Sequence, residues 1–292
     1  MRNINYKAAL PTLPLSGHQA LNISEWLSNL DTPTFEQRMK KLFANGEQGF
    51  WYDPSDMGTM FQDAAGTVPV TAVGQAVGLI LDKSGRGNHA FQTTSASRPI
   101  LRKNAATGAY YLGFDGTDDF LVTNGINFTA TDKISLFAGL QKLADTTQIV
   151  AELSPGTSAN AGSFYLVAGS DLGGIGYTAM SRGSFAASAG KSARNFTYLA
   201  PDTAVLSVKH DISGDLSSMR RNGVVGIDGT DDKGAGNFGN YPLYIGRRGG
   251  TSLPFNGHIY NLIGVGRLAT VGEIAAIEKE LTKRTGVLSL NV

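Results

Sequence analysis

The sequence predicts a mainly β protein built as one sandwich, with a short helical segment before it and a helix after it. Glycine contributes 37 of the 292 residues and follows no Gly-X-Y period, an excess typical of many tight turns. From Gly49 onward, short runs of alternating apolar residues end at clusters of glycine, asparagine, aspartate and serine. Many short strands separated by turn signals favour a sandwich or jelly roll.

Alternating apolar positions mark the strands that we expect to supply the core. The clearest sets are Tyr110-Leu112-Phe114, Phe120-Val122, Ile134-Leu136-Ala138-Leu140, Phe164-Leu166, Leu206-Val208 and Tyr260-Leu262. Asn222-Gly223 stands between two strand-like segments, and this dipeptide is the strongest short-range signal for a two-residue β-hairpin. Trp51 and Tyr52 lie in a strand-like run, where large aromatic residues usually fill the core.

Residues 1–48 are predicted to form an N-terminal segment, and residues 49–292 the sandwich. Pro11 and Pro14 indicate an extended arm over residues 1–20. A helical hairpin should follow. Its first helix has Asn22 and Glu25 as a capping box and Ile23, Trp26, Leu27 and Leu30 on one face; its second begins at Thr32-Pro33, carries Phe35, Met39, Leu42 and Phe43, and ends at Asn45-Gly46.

The last predicted element is a helix over about residues 270–286. Thr270 and Glu273 have the spacing of a capping box, and Gly286 is a typical helix stop. The remaining signals are the apolar stripe Ile274, Ile277 and Leu281 and the dipole-compatible Lys283 and Arg284. We expect this helix to close the sandwich.

Composition excludes several classes of function. The net charge of +1 gives no overall attraction to nucleic acid. The N-terminal residues contain no apolar run typical of a signal peptide, and no segment reaches membrane-spanning length. We therefore expect synthesis in the cytoplasm without membrane insertion. The absence of cysteine excludes thiolate chemistry and disulfides, and the four histidines have no metal-ligand spacing, so no cofactor is expected.

Two polar turns are the most informative motifs. Glycines provide positive φ angles in such turns, and Asp or Asn side chains hydrogen-bond nearby backbone amides. The first spans residues 82–89 and the second residues 114–121, and their turn-forming residues are Asp82, Gly85, Gly87, Asn88, Asp115, Gly116 and Asp118. We interpret them as structural. The alternative is calcium binding, for which the repeated Asp-Gly-Thr-Asp-Asp sequence at Asp228, Asp231 and Asp232 is the candidate.

These turns, with Gly49-Phe-Trp-Tyr-Asp-Pro-Ser-Asp56, resemble the laminin-G-like, concanavalin A-like jelly rolls of virion structural proteins from tailed bacteriophages and prophages. The resemblance covers roughly residues 48–288. It implies a virion location in the tail fibre or baseplate, with residues 1–48 contacting other virion proteins. It also implies a homo-oligomer, with a trimer as the first candidate, and a sandwich that contacts a host-surface polysaccharide or another virion protein.

Catalysis is not expected from the residues present. A glycoside hydrolase usually needs a pair of carboxylates, and Glu152 is the single glutamate between Gly49 and Thr270. Three alternatives to the tail or baseplate component remain open: a capsid decoration or cement protein, a glycan depolymerase, and a lectin-like protein of a bacterium.

A sugar site needs aromatic faces and planar polar groups. By residue type the candidates include Tyr244, whereas Trp51 and Tyr52 are assigned to the core. The preferred candidates, which flank predicted loops, are Tyr177, Arg182, Arg247 and Arg248.

Overall fold

Two antiparallel sheets form a sandwich in the computed structural model, which describes residues 33–171, 174–184, 192–196 and 198–287. The strands are β1 Gly49–Tyr52, β2 Met60–Phe61, β3 Leu79–Ile80, β4 Ala90–Phe91, β5 Ile100–Lys103, β6 Tyr110–Asp115, β7 Leu121–Asn127, β8 Lys133–Lys142, β9 Gln148–Leu153, β10 Ser163–Asp171, β11 Gly174–Arg182, β12 Ser192–Phe196, β13 Asp202–Asp211, β14 Leu216–Arg221, β15 Val224–Val225, β16 Asn240–Ile245 and β17 Asn256–Val265. The helices are α1 Phe35–Leu42 and α2 Val271–Thr285.

The first sheet has the order β15-β14-β13-β8-β17-β6-β5, and β1 also pairs with β17. The second sheet has the order β12-β11-β10-β9-β16-β7-β4-β3-β2. Alternate side chains of both sheets meet in one buried core, as the period of two along a strand requires. This architecture confirms the predicted mainly β sandwich.

A second apolar layer lies on the outer face of the first sheet. Met39 and Leu42 of α1 and Ile277 and Leu281 of α2 pack there in one cluster with Trp51. Trp51 is 1% exposed, which confirms its assignment to a core, and the ring of Phe35 meets it edge-on at 5.9 Å. The helices therefore cover part of the outer face of the first sheet.

Helix α1 belongs to the sandwich and not to a separate N-terminal segment. The compact unit begins at Phe35, because the buried face of α1 is completed only by the sheet and α2. The predicted boundary at residue 48 therefore moves to residue 34. The predicted arm and the first predicted helix, within residues 1–32, lie outside the described residues.

Local signals at the C-terminal helix and at one hairpin act as predicted. Thr270 and Glu273 form a complete capping box, and Gly286 ends α2 with φ +77°. Asn222 and Gly223, with φ +50° and +80°, join β14 to β15. Each signal depends on neighbours within a few residues, so it does not depend on the tertiary arrangement.

Two of the alternating sets have a different phase from the prediction. Leu121, and not Phe120 or Val122, enters the core, while Val122 faces outward. In β17 a register shift between Ile259 and Asn261 places Ile259 and Leu262 in the same core. In β17 the extra residue of a β-bulge inverts the alternation beyond it.

Candidate functional site

One transverse row of side chains crosses the outer face of the second sheet. Strand pairing places Glu152 of β9 between Tyr244 of β16 and Tyr165 of β10. Their chain neighbours, such as Leu153 and Phe164, are buried in the core, so the row faces away from it. The row continues through partly exposed Val122, Phe91, Leu79 and Phe61. The row is thus mostly apolar and partly exposed, with one buried carboxylate between two tyrosines.

Glu152 is completely buried and both carboxylate oxygens have partners. Oε2 accepts a hydrogen bond from Nε of Arg248 at 2.7 Å, and the two residues form an ion pair. Oε1 accepts from the backbone N–H of Thr157 at 2.7 Å and from its hydroxyl. A buried charge is tolerated only when it is paired and hydrogen-bonded. Glu152 therefore holds two loops in place, the one that contains Thr157 and the one that contains Arg248.

Arg248 keeps 31% of its side chain exposed, and its guanidinium carbon lies 5.8 Å from the centre of the Tyr165 ring. Arg182 is 7% exposed and donates from Nη1 to the carbonyls of Thr157 at 2.9 Å and Ser158 at 2.6 Å. Thr157 is thus held at its N–H by Glu152 and at its carbonyl by Arg182. The structure brings these two predicted arginines to one site, where Arg248 is accessible and Arg182 supports the loop.

Tyr177 does not belong to a binding surface, contrary to the sequence interpretation. The residue is 1% exposed, and its hydroxyl donates to Oδ2 of Asp202 at 2.7 Å. Burial raises the pKa of this phenol well above its usual value. Because Tyr177 lies on the inner face of β11, it packs in the core between the sheets.

Arg247 points to a different part of the molecule from Arg248. Its guanidinium donates to the carbonyl of Thr251 at 3.2 Å and to that of Asp118 at 3.5 Å. It therefore connects the loop after β16 with the second polar turn, and it takes no part in the Glu152 site.

The Glu152 site was only partly predictable. Tyr244 is a candidate by type, but Tyr165 was missed because it follows Phe164 in an apolar strand. A period of two places it opposite its core neighbours Phe164 and Leu166, and that signal was available. Glu152 carries a related signal, since it is one carboxylate directly after the apolar run Ile149-Val-Ala151 of a strand.

Asp82 organises the first polar turn. Its Oδ1 accepts from the backbone N–H groups of Trp51 and Ser84, each at 2.8 Å, and its Oδ2 accepts from the N–H of Asn88 at 3.0 Å. Its own N–H donates to Nδ1 of His89 at 2.9 Å. Gly85 and Gly87 have φ of +81° and +74° within this turn. The amide of Asn88 in turn donates to the carbonyl of Gly49.

The carboxylates of the second turn converge. Ligand oxygens of Asp115, Asp118 and Asp119 lie within 4.8 Å of one another. Burial, together with the charges of Asp115 and Asp118, raises the pKa of Asp119 to about 6. The oxygens also hold the turn: Asp115 Oδ1 accepts from the N–H of Thr117 at 2.8 Å, and Asp118 Oδ2 accepts from the hydroxyl of Ser97 at 2.6 Å.

Among the residues that the structure describes, this is the one acidic group close enough to hold a metal ion. The repeated sequence at Asp228, Asp231 and Asp232, which was the candidate for calcium, does not form such a group there. The two copies of the Asp-Gly-Thr-Asp-Asp sequence therefore have different arrangements of their carboxylates.

Comparison with known proteins adds a fold and no family. No family model and no curated protein matches the sequence. Similar solved structures include an arabinofuranosidase complexed with arabinofuranosyl-α-1,2-xylobiose, with 15% identity, a TM-score of 0.56 and coverage of 85% of this chain and 65% of that chain. A GH54 α-L-arabinofuranosidase soaked with a cyclic sulfate inhibitor has the same identity and coverage and a TM-score of 0.57.

The receptor-binding domain of botulinum neurotoxin D is also similar, with 9% identity, a TM-score of 0.50 and coverage of 69% of this chain and 50% of that domain structure. The chain thus spans less than two thirds of each of these neighbours. At such identities the likeness establishes the sandwich fold alone. No helix in the described part of the chain has the length and apolar character needed to span a membrane.

Proposed function

We propose that the protein is a non-enzymatic virion component of a tailed bacteriophage, in the tail fibre or baseplate, and that it binds a host-surface glycan. The glycan would lie across the outer face of the second sheet, over Tyr244, Glu152 and Tyr165. The observation that carries the binding site is the row itself, in which two partly exposed tyrosines flank an arginine-bound glutamate. The virion setting rests on the sequence resemblance.

The row supplies the two kinds of contact that a sugar chain requires. Tyrosine rings offer apolar faces for the C–H side of a sugar ring, with a hydroxyl at the edge for hydrogen bonding. Arg248 uses Nε for Glu152, and its partly exposed guanidinium can donate to sugar hydroxyls. Since Glu152 and the Tyr165 ring restrict this arginine, little side-chain entropy remains to be lost on binding.

The structural neighbours support this proposal at the level of fold. One is complexed with an arabinofuranosyl-xylobiose, so a related sandwich occurs in a carbohydrate-active protein. A second is a receptor-binding domain.

Glycan depolymerisation is the second candidate, favoured by the likeness to arabinofuranosidases. Glycosidases use one carboxyl group as an acid and another as a nucleophile or base. Both oxygens of Glu152 are committed to Thr157 and Arg248, which argues against either role and supports binding without cleavage.

Binding of purified host polysaccharide to the full chain tests the site. We expect Tyr165→Ala and Tyr244→Ala each to weaken binding about fivefold to tenfold, equivalent to roughly 1–1.4 kcal/mol. Tyr110→Ala is the matched control, because that ring packs against the core from the first sheet. Unchanged binding in both row variants would reject the site, and shortening of the polysaccharide would favour the depolymerase.

The virion assignment has a separate test. Mass spectrometry and antibody labelling of purified phage particles should find the protein at the tail or baseplate. Labelling over the capsid would favour the decoration protein, and absence from particles would favour the bacterial lectin.

A further inference from the structure

A pocket of about 220 Å³ opens at the outer face of the first sheet, beyond the helices and on the opposite side of the sandwich from the Glu152 row. Strand pairing places Ile100 of β5, Gly113 of β6 and His258 of β17 side by side across its floor. Gly113 has no side chain, so a hollow remains between its two neighbours. A Cβ at Gly113 would lie 3.4 Å from Cγ of Arg102 and 3.6 Å from the carbonyl oxygen of Ile100, within the space of the pocket.

One wall of the pocket is aromatic. The rings of Tyr111 and His258 stack with centroids 4.1 Å apart and an interplanar angle of 27°. The ring of Tyr111 also packs against that of Tyr260, with centroids 5.0 Å apart, and this contact restricts the orientation of Tyr111. Burial and the charge of Arg102 lower the pKa of His258 to about 4, so the imidazole is neutral at pH 7. The pocket is therefore lined on this side by two uncharged rings that stack on each other.

Groups of opposite charge complete the lining. Arg102, which is exposed, lies on β5, while Asp115 and Asp119 belong to the second polar turn. The two carboxyl groups would repel an anionic ligand, and Arg102 would offset part of the attraction that they exert on a metal cation or amine. A neutral ligand with several hydroxyl groups can instead donate to the carboxylates and accept from the guanidinium.

We propose that this pocket binds a single neutral sugar residue, with its ring against Tyr111 and its hydroxyl groups between Arg102 and Asp115. The volume of about 220 Å³ is smaller than the roughly 300–1,000 Å³ of pockets for drug-sized ligands, and it suits one sugar ring. The site lies on a different sheet from the Glu152 row and uses none of its residues. It stands independently of the proposed glycan site and would hold an end or branch residue of a glycan.

Titration of the full chain with methyl glycosides of neutral hexoses, followed by NMR chemical shifts, tests the pocket. We expect saturable binding by at least one glycoside, at millimolar concentration. Gly113→Val, which fills the hollow, and Tyr111→Ala, which removes the wall, should each weaken it at least tenfold. Tyr110→Ala is the control, since that ring faces the other side of β6 and packs against the core. A cooperative thermal unfolding transition above the temperature of the titration confirms that each variant remains folded.

Several results would overturn the proposal. Gly113→Val that folds and binds the glycoside as well as the wild type would exclude the pocket, as would the absence of binding by every glycoside up to 50 mM, roughly the weakest range of specific recognition. Weakening by Tyr165→Ala in place of Tyr111→Ala would assign the sugar to the second sheet. If Gly113→Val proves unfolded, Asp115→Asn takes its place, because Asp115 is exposed and its Oδ1 acceptor is retained. Preferential binding of methylammonium or acetate would show that the pocket selects charge.

Discussion

The carboxylate of Asp82 accepts a hydrogen bond of 2.8 Å from the backbone N–H of Trp51, 31 residues earlier in the chain. Trp51 lies in β1, which pairs with β17 of the first sheet, and its ring packs against α1 and α2. One turn side chain therefore couples the first polar turn to a strand and, through its tryptophan, to the helical layer.

Asp82→Ala should destabilise the protein strongly. The substitution removes the acceptor of the buried Trp51 N–H and of two turn N–H groups, and a buried donor without a partner costs roughly 1–3 kcal/mol. We expect a loss of about 3 kcal/mol or more in the free energy of unfolding, measured by urea denaturation. Asp228→Ala at an exposed position is the control, and an equal loss in both variants would contradict this role of Asp82.

Gly116→Ala should cost more stability than Gly85→Ala. Both glycines have positive φ, so each alanine is strained by roughly 1–2 kcal/mol. A Cβ at Gly85 meets open space, whereas one at Gly116 would lie 2.6 Å from Cβ of Asn256. Thermal unfolding of the two variants gives the comparison. Equal melting temperatures would show that Asn256 of β17 moves aside without a loss of stability.

Acid should destabilise the protein partly through His210. Burial, with a smaller contribution from the charge of Lys233, lowers the pKa of His210 to about 3. Because the unfolded pKa is about 6.5, this contribution to stability is complete above pH 6.5 and is lost as the pH falls toward 3. His210→Gln should therefore lose about 2–3 kcal/mol less than the wild type between pH 7 and 4.5, measured by urea unfolding.

Asp119 changes the pH dependence of stability in the opposite direction to His210, since the pKa of Asp119 in the folded protein is raised to about 6. Its contribution is present at low pH and is lost as the pH rises through 6. The comparison with His210→Gln isolates the histidine, because Asp119 is common to both proteins. Parallel stability curves for wild type and His210→Gln would exclude the histidine effect.

Removal of residues 1–34 should leave a folded sandwich, whereas removal of residues 1–46 should not. The longer deletion removes buried Met39, Leu42 and Phe43, each worth roughly 1.5–3 kcal/mol of burial. That sum approaches the total stability of a typical domain, about 5–15 kcal/mol. Circular dichroism and thermal unfolding of the two truncations decide this, and a cooperative transition after the longer deletion would show that α1 is dispensable.

Calcium should leave the melting temperature unchanged. The converging carboxylates of Asp115 and Asp118 already accept hydrogen bonds within the turn and from Ser97. A cation would compete with these donors for the carboxylates and would lie close to Arg247, which donates to the carbonyl of Asp118. Differential scanning fluorimetry with calcium and with chelator tests this. A shift of several degrees with calcium would favour a metal site at this turn.

Short-range chemistry explains what the sequence predicted well. The capping box at Thr270 and Glu273 and the hairpin at Asn222-Gly223 each depend on neighbours a few residues away. The alternating set from Ile134 to Leu140 gave the inner face of β8 correctly, because no bulge interrupts its pairing with β13.

Long-range geometry explains what the sequence could not provide. The ion pair of Glu152 and Arg248 spans 96 residues and requires that β9 and β16 become neighbours. The pocket depends on Gly113 lying between two other strands, which only strand order determines. Tyr177 was misplaced because glycines before it in β11 left too few side chains to set the phase of the alternation.

Because α1 and α2 pack on the first sheet, the two outer faces of the sandwich differ. Phe35, where the compact unit begins, packs on the helix-covered side, away from the row around Glu152. A partner that bound the protein at the start of α1 would therefore lie on the helix-covered side. The outer face of the second sheet would remain accessible. If several copies are held in this way and the row binds glycan as proposed, the rows would face a common direction, and modest affinity at each row would add up to stronger overall binding.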